Sequence, residues 1–365
     1  MVVVSFNYRS GVFGFFSHPA LSRESGRGSS GNYGLLDQLA LLAWVQESIA
    51  GFGGDPGRVT AFGVSAGSAS IALLLAAPAA RGLFHRAILH SPGCGRPLAT
   101  LDQAEAAGHA IDADLPALRA LSAGQVLALT PRLNPAVRGL TSPRVLRPIR
   151  DGALILEDER DAFAAGHLHR MPLIVGTNAD EGTLLTRSWP VQTADDLRDL
   201  IRANFVGAEA QALLHYGCDR DDEASARIAQ AFADTQFNAG ARLLLRSMTR
   251  LGQPCWAYHF TRRRPGQVDG PHHGDEFGYA FGNLAVGRSG AGEPFDETDE
   301  WLSDAMAGAW ARFAATGEPG AVAVLHWPGF DAGEQHLEFG NELRTGSNPR
   351  WRALDFVDDH LTRSR

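Results

Sequence analysis

Residues 58–78 read Arg-Val-Thr-Ala-Phe-Gly-Val-Ser-Ala-Gly-Ser-Ala-Ser-Ile-Ala-Leu-Leu-Leu-Ala-Ala-Pro. Val59–Phe62 is a short apolar run with a β-branched majority at its start and reads as a strand. Ser68–Ala77 is rich in Ala and Leu and reads as a helix stopped by Pro78. Between them lies Gly63-Val64-Ser65-Ala66-Gly67. A strand that turns straight into a helix makes a tight, strained corner. The two glycines lack Cβ and let neighbouring backbone pass close to it. Ser65 is then held on the tip, where a base can reach its hydroxyl. The helix behind it aims free N–H groups and a partial positive charge at the same spot, which places the Ala66 N–H to stabilise an oxyanion. A bare G-x-S-x-G also spells a small-residue turn with a structural serine. The strand before it and the helix after it give the motif its weight.

The whole chain has 365 residues, 44% hydrophobic and 20% charged. That is ordinary for a globular protein able to bury a sizeable core, as one large domain or two. A net charge of −8 gives no reason to expect nucleic acid or an anionic membrane as partner. All 33 basic residues are Arg. Cys94, Cys218 and Cys255 are widely spaced and match neither a metal site nor a disulfide framework. Met1 runs directly into Val2-Val3-Val4-Ser5-Phe6-Asn7-Tyr8, without a basic n-region or a small-residue cleavage site. No apolar run reaches membrane-spanning length. The expected location is the cytoplasm. The residues call for no cofactor and are silent on oligomeric state.

Working outward from the motif, Val2–Tyr8 reads as a buried strand of the kind found in parallel sheets covered on both faces. Residues 9–34 are rich in Gly and Ser and read as loop. Leu35–Ile49 has apolar residues at helical spacing. Arg86–His90, Pro172–Gly176 and Cys255–Phe260 read as further strands, and Leu302–Ala315 as an amphipathic helix. Strand and helix thus alternate from residue 2 to residue 91, which predicts a mostly parallel α/β sheet with helices on both faces. Right-handed crossovers then put Ser65 at the carboxyl edge of that sheet. Residues 101–170 and 193–250 read as mostly helical and are expected to be insertions capping the edge.

A serine nucleophile needs a base, and the base needs an orienting acid. The strand Leu173–Val175 leads into Gly176-Thr177-Asn178-Ala179-Asp180-Glu181-Gly182, two carboxylates just past a strand end. The strand ending at Phe260 leads into Gly270-Pro271-His272-His273-Gly274-Asp275-Glu276-Phe277. Three loops therefore converge on one edge in the order Ser, acid, His, which is the α/β-hydrolase order. Taken alone, Asp180-Glu181 could be a solvated turn. The His-His-Gly-Asp-Glu run could hold a metal, but it offers no helical i,i+4 pair and no nearby Cys. His167 and His169 read as surface histidines, and no metal is expected.

At this point the chain resembles the type-B carboxylesterase and cholinesterase group of α/β-hydrolases. The matching stretches are Val3–Phe15, Gly31–Gln38, Trp44–Pro56 and the Ser65 motif. They continue with Gly176–Gly182, His273–Phe277 with Phe281-Gly282, Trp310–Pro319 and Trp327–Phe330. The resemblance covers nearly the whole chain in order. It implies an ester hydrolase with Ser65 as nucleophile, Glu181 as acid (Asp180 the fallback) and His273 as base (His272 the fallback). Ala66 N–H would bind the oxyanion, and the partner would be a small-molecule ester. It also implies one α/β-hydrolase domain over residues 1–345 and a C-terminal tail over 346–365. Arg9, Asn32 and Asp37 match positions that look structural, a buried Arg–Asp pair holding the loop beneath the elbow. Trp189, Phe205 and Phe277, near the predicted site loops, suggest an uncharged, apolar ester.

Two departures from the family pattern stand out. The family has an acid just before the nucleophile, where this chain has Val64, so affinity for cationic substrates is expected to be lower. No His-Gly-Gly-Gly run is present, the loop from which the family draws oxyanion donors. Val2–Tyr8 matches the strand after that loop, so the chain is expected to start at the fourth strand, leaving a slot mid-sheet. Losing one oxyanion donor lowers turnover by about 10²–10³-fold. A weakly active fragment and a non-catalytic binding module are therefore the alternatives to an active esterase.

Overall fold

The computed structural model describes residues 1–363 apart from 136, 138, 285–293 and 348–349. The short apolar runs become strands β1 (Thr60–Val64), β2 (Arg86–His90), β3 (Leu173–Asn178) and β4 (Cys255–Phe260). They are followed by β5 (Ala321–Val322), β6 (Leu325–His326), β7 (Gln335–Phe339) and β8 (Leu343–Ser347). The main sheet has the order β1-β2-β3-β4-β7-β8. Its first five strands are parallel, and β8 closes it as the antiparallel arm of a hairpin with β7. β5 and β6 form a separate antiparallel pair.

Burial on both sides follows the two-residue period of a strand. Ala87 and Leu89 of β2, with Leu173 and Val175 of β3, face Leu73 and Leu75 of helix Ala66–Ala76 and Leu244 and Met248 of helix Ala239–Arg250. Ile88 and Ile174 point the other way, into a second cluster with Leu302, Met306 and Phe313 of helix Glu297–Thr316. This is the α/β-hydrolase sheet, helix-covered on both faces. The last helix of the expected 193–250 insertion is therefore part of the sheet's own covering.

The helices Ala194–Asn204, Glu209–Tyr216 and Ala224–Ala233 build a third apolar cluster, together with helix Trp351–Arg363. Residues 346–365, expected as a tail, thus contribute buried Leu354, Val357 and Leu361 to a core. Positions 348, 349, 364 and 365 of that expectation lie outside the described residues. No described helix is long and apolar enough to cross a membrane.

The N-terminal expectation is corrected. Val2–Tyr8 forms no strand, and Val3 is 58% exposed. An apolar run becomes a strand only where a neighbour completes its hydrogen-bond ladder, and none of the sheet's strands pairs with it. The slot foreseen within the sheet is not there either: the elbow strand β1 is itself the edge of the sheet. The Arg9–Asp37 pair does form, with Arg9 Nε and Nη2 donating to the carboxylate at 2.9 and 2.6 Å. It lies near the surface, the Arg9 side chain being 53% exposed. Asn32 does the buried anchoring instead, exchanging two 2.9 Å hydrogen bonds with the backbone of Ile149.

Candidate active site

Ser65 joins β1 to helix Ala66–Ala76 with φ 57° and ψ −113°. A side-chain-bearing residue is strained there and persists only where its surroundings dictate it. Two contacts do so. The Ser65 N–H donates to His90 O at 2.9 Å, and the Ser68 hydroxyl donates to the same carbonyl at 2.7 Å. Gly63 is required sterically, because a Cβ there would stand 2.8 Å from the Gly67 carbonyl carbon. Gly67 itself faces open space, so only the first of the motif's glycines allows a close approach. The helix begins at Ala66, and its first-turn N–H groups have no intrahelical acceptors.

Strand register carries the site sideways from Ser65. Val64 pairs with His90, and His90 with Gly176, so Ser65 and Ser91 sit side by side one residue beyond. Ser91 donates its hydroxyl to Glu181 Oε1 at 2.6 Å, and the Asn178 N–H donates to the same oxygen at 2.6 Å. The other carboxylate oxygen, Oε2, lies 2.5 Å from His273 Nδ1. Glu181 is 1% exposed and fixed from three sides. The ring of Phe237 packs on the His273 imidazole at 4.4 Å between centroids. With Nδ1 engaged by Glu181, Nε2 is the free nitrogen. It is buried and has no hydrogen-bond partner among the described residues. Burial pulls the His273 pKa down, but the hydrogen bond and charge of Glu181, with Glu276 and Asp275 behind it, outweigh burial and raise it above the ordinary histidine value.

The fallback residues have other attachments. Asp180 accepts from the N–H groups of Thr183 and Gly270 at 3.0 and 3.1 Å, tying the acid loop to the histidine loop. His272 is wholly buried, with Asp269 3.2 Å from its Nε2. Neither joins Glu181 and His273. Among the described residues no group of three or more His, Cys, Asp or Glu side chains is arranged to hold a metal ion.

A buried polar network beneath these groups was not foreseen. Asn178 Nδ2 donates to Glu276 Oε2 and to His272 O. Glu276 Oε1 lies 3.2 Å from His90 Nδ1, and Tyr258 Oη lies 2.9 Å from the same nitrogen. Trp310 Nε1 donates to His90 Nε2 at 2.9 Å. An indole nitrogen can only donate, so His90 Nε2 accepts and the ring proton sits on Nδ1, facing Glu276. Burial pushes the Glu276 pKa up, but the hydrogen bonds from His90 and the Asn178 amide hold it below the usual carboxylate value. Ser91 and Asn178 lie at strand ends that drew attention in the sequence, and Glu276 lies in the Gly270–Phe277 run that carries the histidines. Phe237, from a separate helix, carried no signal.

The carboxylesterase family model matches residues 1–357. The chain belongs to the carboxylesterase family. It is 42% identical over 360 residues to a fumonisin B1 esterase of Sphingopyxis macrogoltabida, covering 95% of this chain and 65% of that protein. It is 33% identical to a para-nitrobenzyl esterase of Bacillus subtilis (strain 168), covering 96% of this chain and 71% of that protein. A solved PNB esterase structure superposes with a TM-score of 0.80 at 29% identity, over 96% of this chain and 73% of that one. The chain thus spans about two thirds of the length of these esterases.

Within this carboxylesterase-family frame, the apolar residues expected near the site are redistributed. Trp189 and Phe205 belong to the helical apolar cluster, where Phe205 packs against Tyr216 and Phe356, and Trp189 against Phe232, which in turn touches the Phe237 ring on His273. Phe277 packs against Phe281 with the rings tilted, and Phe281 in turn touches Phe62 of the elbow strand.

Proposed function

We propose that this chain hydrolyses a small-molecule carboxylic ester through Ser65, His273 and Glu181. Ser65 Oγ attacks the ester carbonyl while His273 Nε2 takes its proton. Glu181 holds the Nδ1 proton, keeping the imidazole in the tautomer whose Nε2 can accept. The Ala66 N–H faces the developing oxyanion. Collapse expels the alcohol, which takes the proton from His273, and leaves an acyl-enzyme on Ser65. Water, deprotonated by the same imidazole, then releases the acid.

The observation that supports this most is the 2.5 Å His273–Glu181 contact, which leaves the far imidazole nitrogen buried and without a hydrogen-bond partner among the described residues. The membership in the carboxylesterase family and the names of the two relatives point to the same chemistry. The test is hydrolysis of a p-nitrophenyl ester and labelling by a serine-reactive phosphonate. Ser65→Ala is expected to lose turnover by on the order of 10⁴-fold or more and to lose the label. Parent-like turnover in Ser65→Ala, or a label on another residue, would overturn the assignment.

A further inference from the structure

His90 ends β2 beside the nucleophile, and the proposed mechanism does not use it. Its backbone carbonyl accepts from the Ser65 N–H at 2.9 Å and from the Ser68 hydroxyl at 2.7 Å. Its side chain is 2% exposed, and both ring nitrogens have partners. Trp310 Nε1 donates to Nε2 at 2.9 Å, which puts the ring proton on Nδ1. That nitrogen lies 2.9 Å from Tyr258 Oη and 3.2 Å from Glu276 Oε1.

The sheet is shaped to allow this. His90, Gly176 and Tyr258 stand side by side on β2, β3 and β4. Two strand spacings, about 9–10 Å, separate the outer two backbones. A Cβ on Gly176 would stand 2.2 Å from the Tyr258 ring. The missing side chain therefore lets Tyr258 lean across β3 and reach the imidazole. Trp310, from helix Glu297–Thr316, sets its ring 5.6 Å from that of His90.

Glu276 passes the constraint on. Its Oε2 accepts from Asn178 Nδ2 at 2.5 Å, and the same nitrogen donates to His272 O at 2.6 Å. The Asn178 N–H donates to Glu181 Oε1 at 2.6 Å. His90 thus holds the corner at Ser65 through its carbonyl. Through Glu276 and Asn178 its ring reaches the acid and the residue before the base. Glu276 is 0% exposed, and a carboxylate so buried keeps its charge only where donors surround it. Against the pull of burial, Glu181, Glu276 and Asp275 together raise the His273 pKa.

We propose that His90 is a positioning residue of the active site: its carbonyl fixes the Ser65 corner, and its ring, oriented by Trp310, holds Glu276 against the Asn178 amide that steadies Glu181 and the His273 loop. The proposal rests on the ester-hydrolase assignment and adds to it a residue outside the Ser65, His273 and Glu181 set.

The experiment follows p-nitrophenyl acetate hydrolysis across pH, with urea midpoints taken alongside. His90→Leu removes the ring's hydrogen bonds and keeps the backbone carbonyl. It is expected to lower kcat by about 10²-fold with KM changed less than about threefold. His90→Asn, whose amide nitrogen can stand near the Nδ1 position, should recover at least about tenfold of that loss. Glu276→Gln should move the acid limb of kcat/KM to lower pH, because a charge that raises His273 is gone. Glu334→Gln neutralises another buried carboxylate, held by Arg242 and Arg246, and should lower the midpoint but leave the limb in place. Should His90→Leu not fold, Trp310→Phe takes its place, with an expected kcat loss of about tenfold. Parent-like kcat in the variant that folds, or His90→Asn no better than His90→Leu, would overturn the positioning role and leave the hydrolase assignment standing. If the parent turns over no ester, NMR titration of the His273 imidazole decides. A midpoint that falls in both Glu276→Gln and His90→Leu supports the role, and one that stays in either overturns it.

Discussion

The proton on His273 decides when the proposed site can work. A general base must be neutral to accept a proton, and Glu181 raises the His273 pKa. Activity is therefore expected to be lost as pH falls through that raised value, with the acid limb of kcat/KM on a neutral ester centred above the ordinary 6.5. Glu181→Gln removes the raising charge and leaves burial to dominate. Its acid limb should move to lower pH while kcat drops by on the order of 10²–10⁴-fold. A limb that stays in place would mean that another group sets it. The loops that carry this pair were legible in the sequence, since Glu181 stands just past one strand end and His273 in the longer loop after the next, in a known order. Adjacent carboxylates and adjacent histidines could not be told apart there. Hydrogen bonding separates them: Asp180 is taken up by two backbone N–H groups and Glu181 by His273.

Between elements, the site depends on how closely the acid loop approaches its helical neighbour. A Cβ at Gly182 would stand 1.9 Å from Ala229 O in helix Ala224–Ala233. Gly182→Ala should therefore push the helix and the Glu181 loop apart. The expected loss is about 1–3 kcal/mol of stability, read from the urea midpoint, together with a fall in kcat greater than the fall in folded fraction. An unchanged midpoint would show that the gap opens without strain. At the sheet edge, β1 has a strand partner on one side only among the described residues, whereas β3 is flanked by β2 and β4. Amide hydrogen exchange is thus expected to be faster in β1 than in β3. Equal protection would mean that something else covers the β1 edge. The strand-like composition of Val2–Tyr8 could not foretell this, because strand formation depends on a neighbouring ladder and not on side chains alone.

For the molecule as a whole, buried and half-buried histidines are expected to set the response to acid. Burial, helped by the nearby His259, lowers the His336 pKa to about 4. Burial also lowers His169, His215, His259 and His360. Unfolded histidines titrate near 6.5. Below that pH the unfolded chain binds protons that the folded chain refuses, so stability falls as pH drops from 6.5 towards 4. His336 alone accounts for at most about 3 kcal/mol of that loss. His273, with its raised pKa, works weakly in the opposite sense. Urea unfolding between pH 8 and pH 5 should show the decline, and His336→Gln should flatten it. A slope indifferent to that substitution would assign the acid sensitivity to other groups.

The chain's own order of apolar runs and small-residue turns determined the parallel sheet, its helical cover and the strained corner at Ser65. Those depend on local period and on backbone sterics, which neighbouring residues fix among themselves. Tertiary structure alone decided which of two carboxylates meets which of two histidines. It also decided that residues 2–8 stay outside the sheet and that residues 351–363 close the third apolar cluster. Each of these turns on contacts between segments dozens of residues apart, and such contacts leave no periodic trace along the chain.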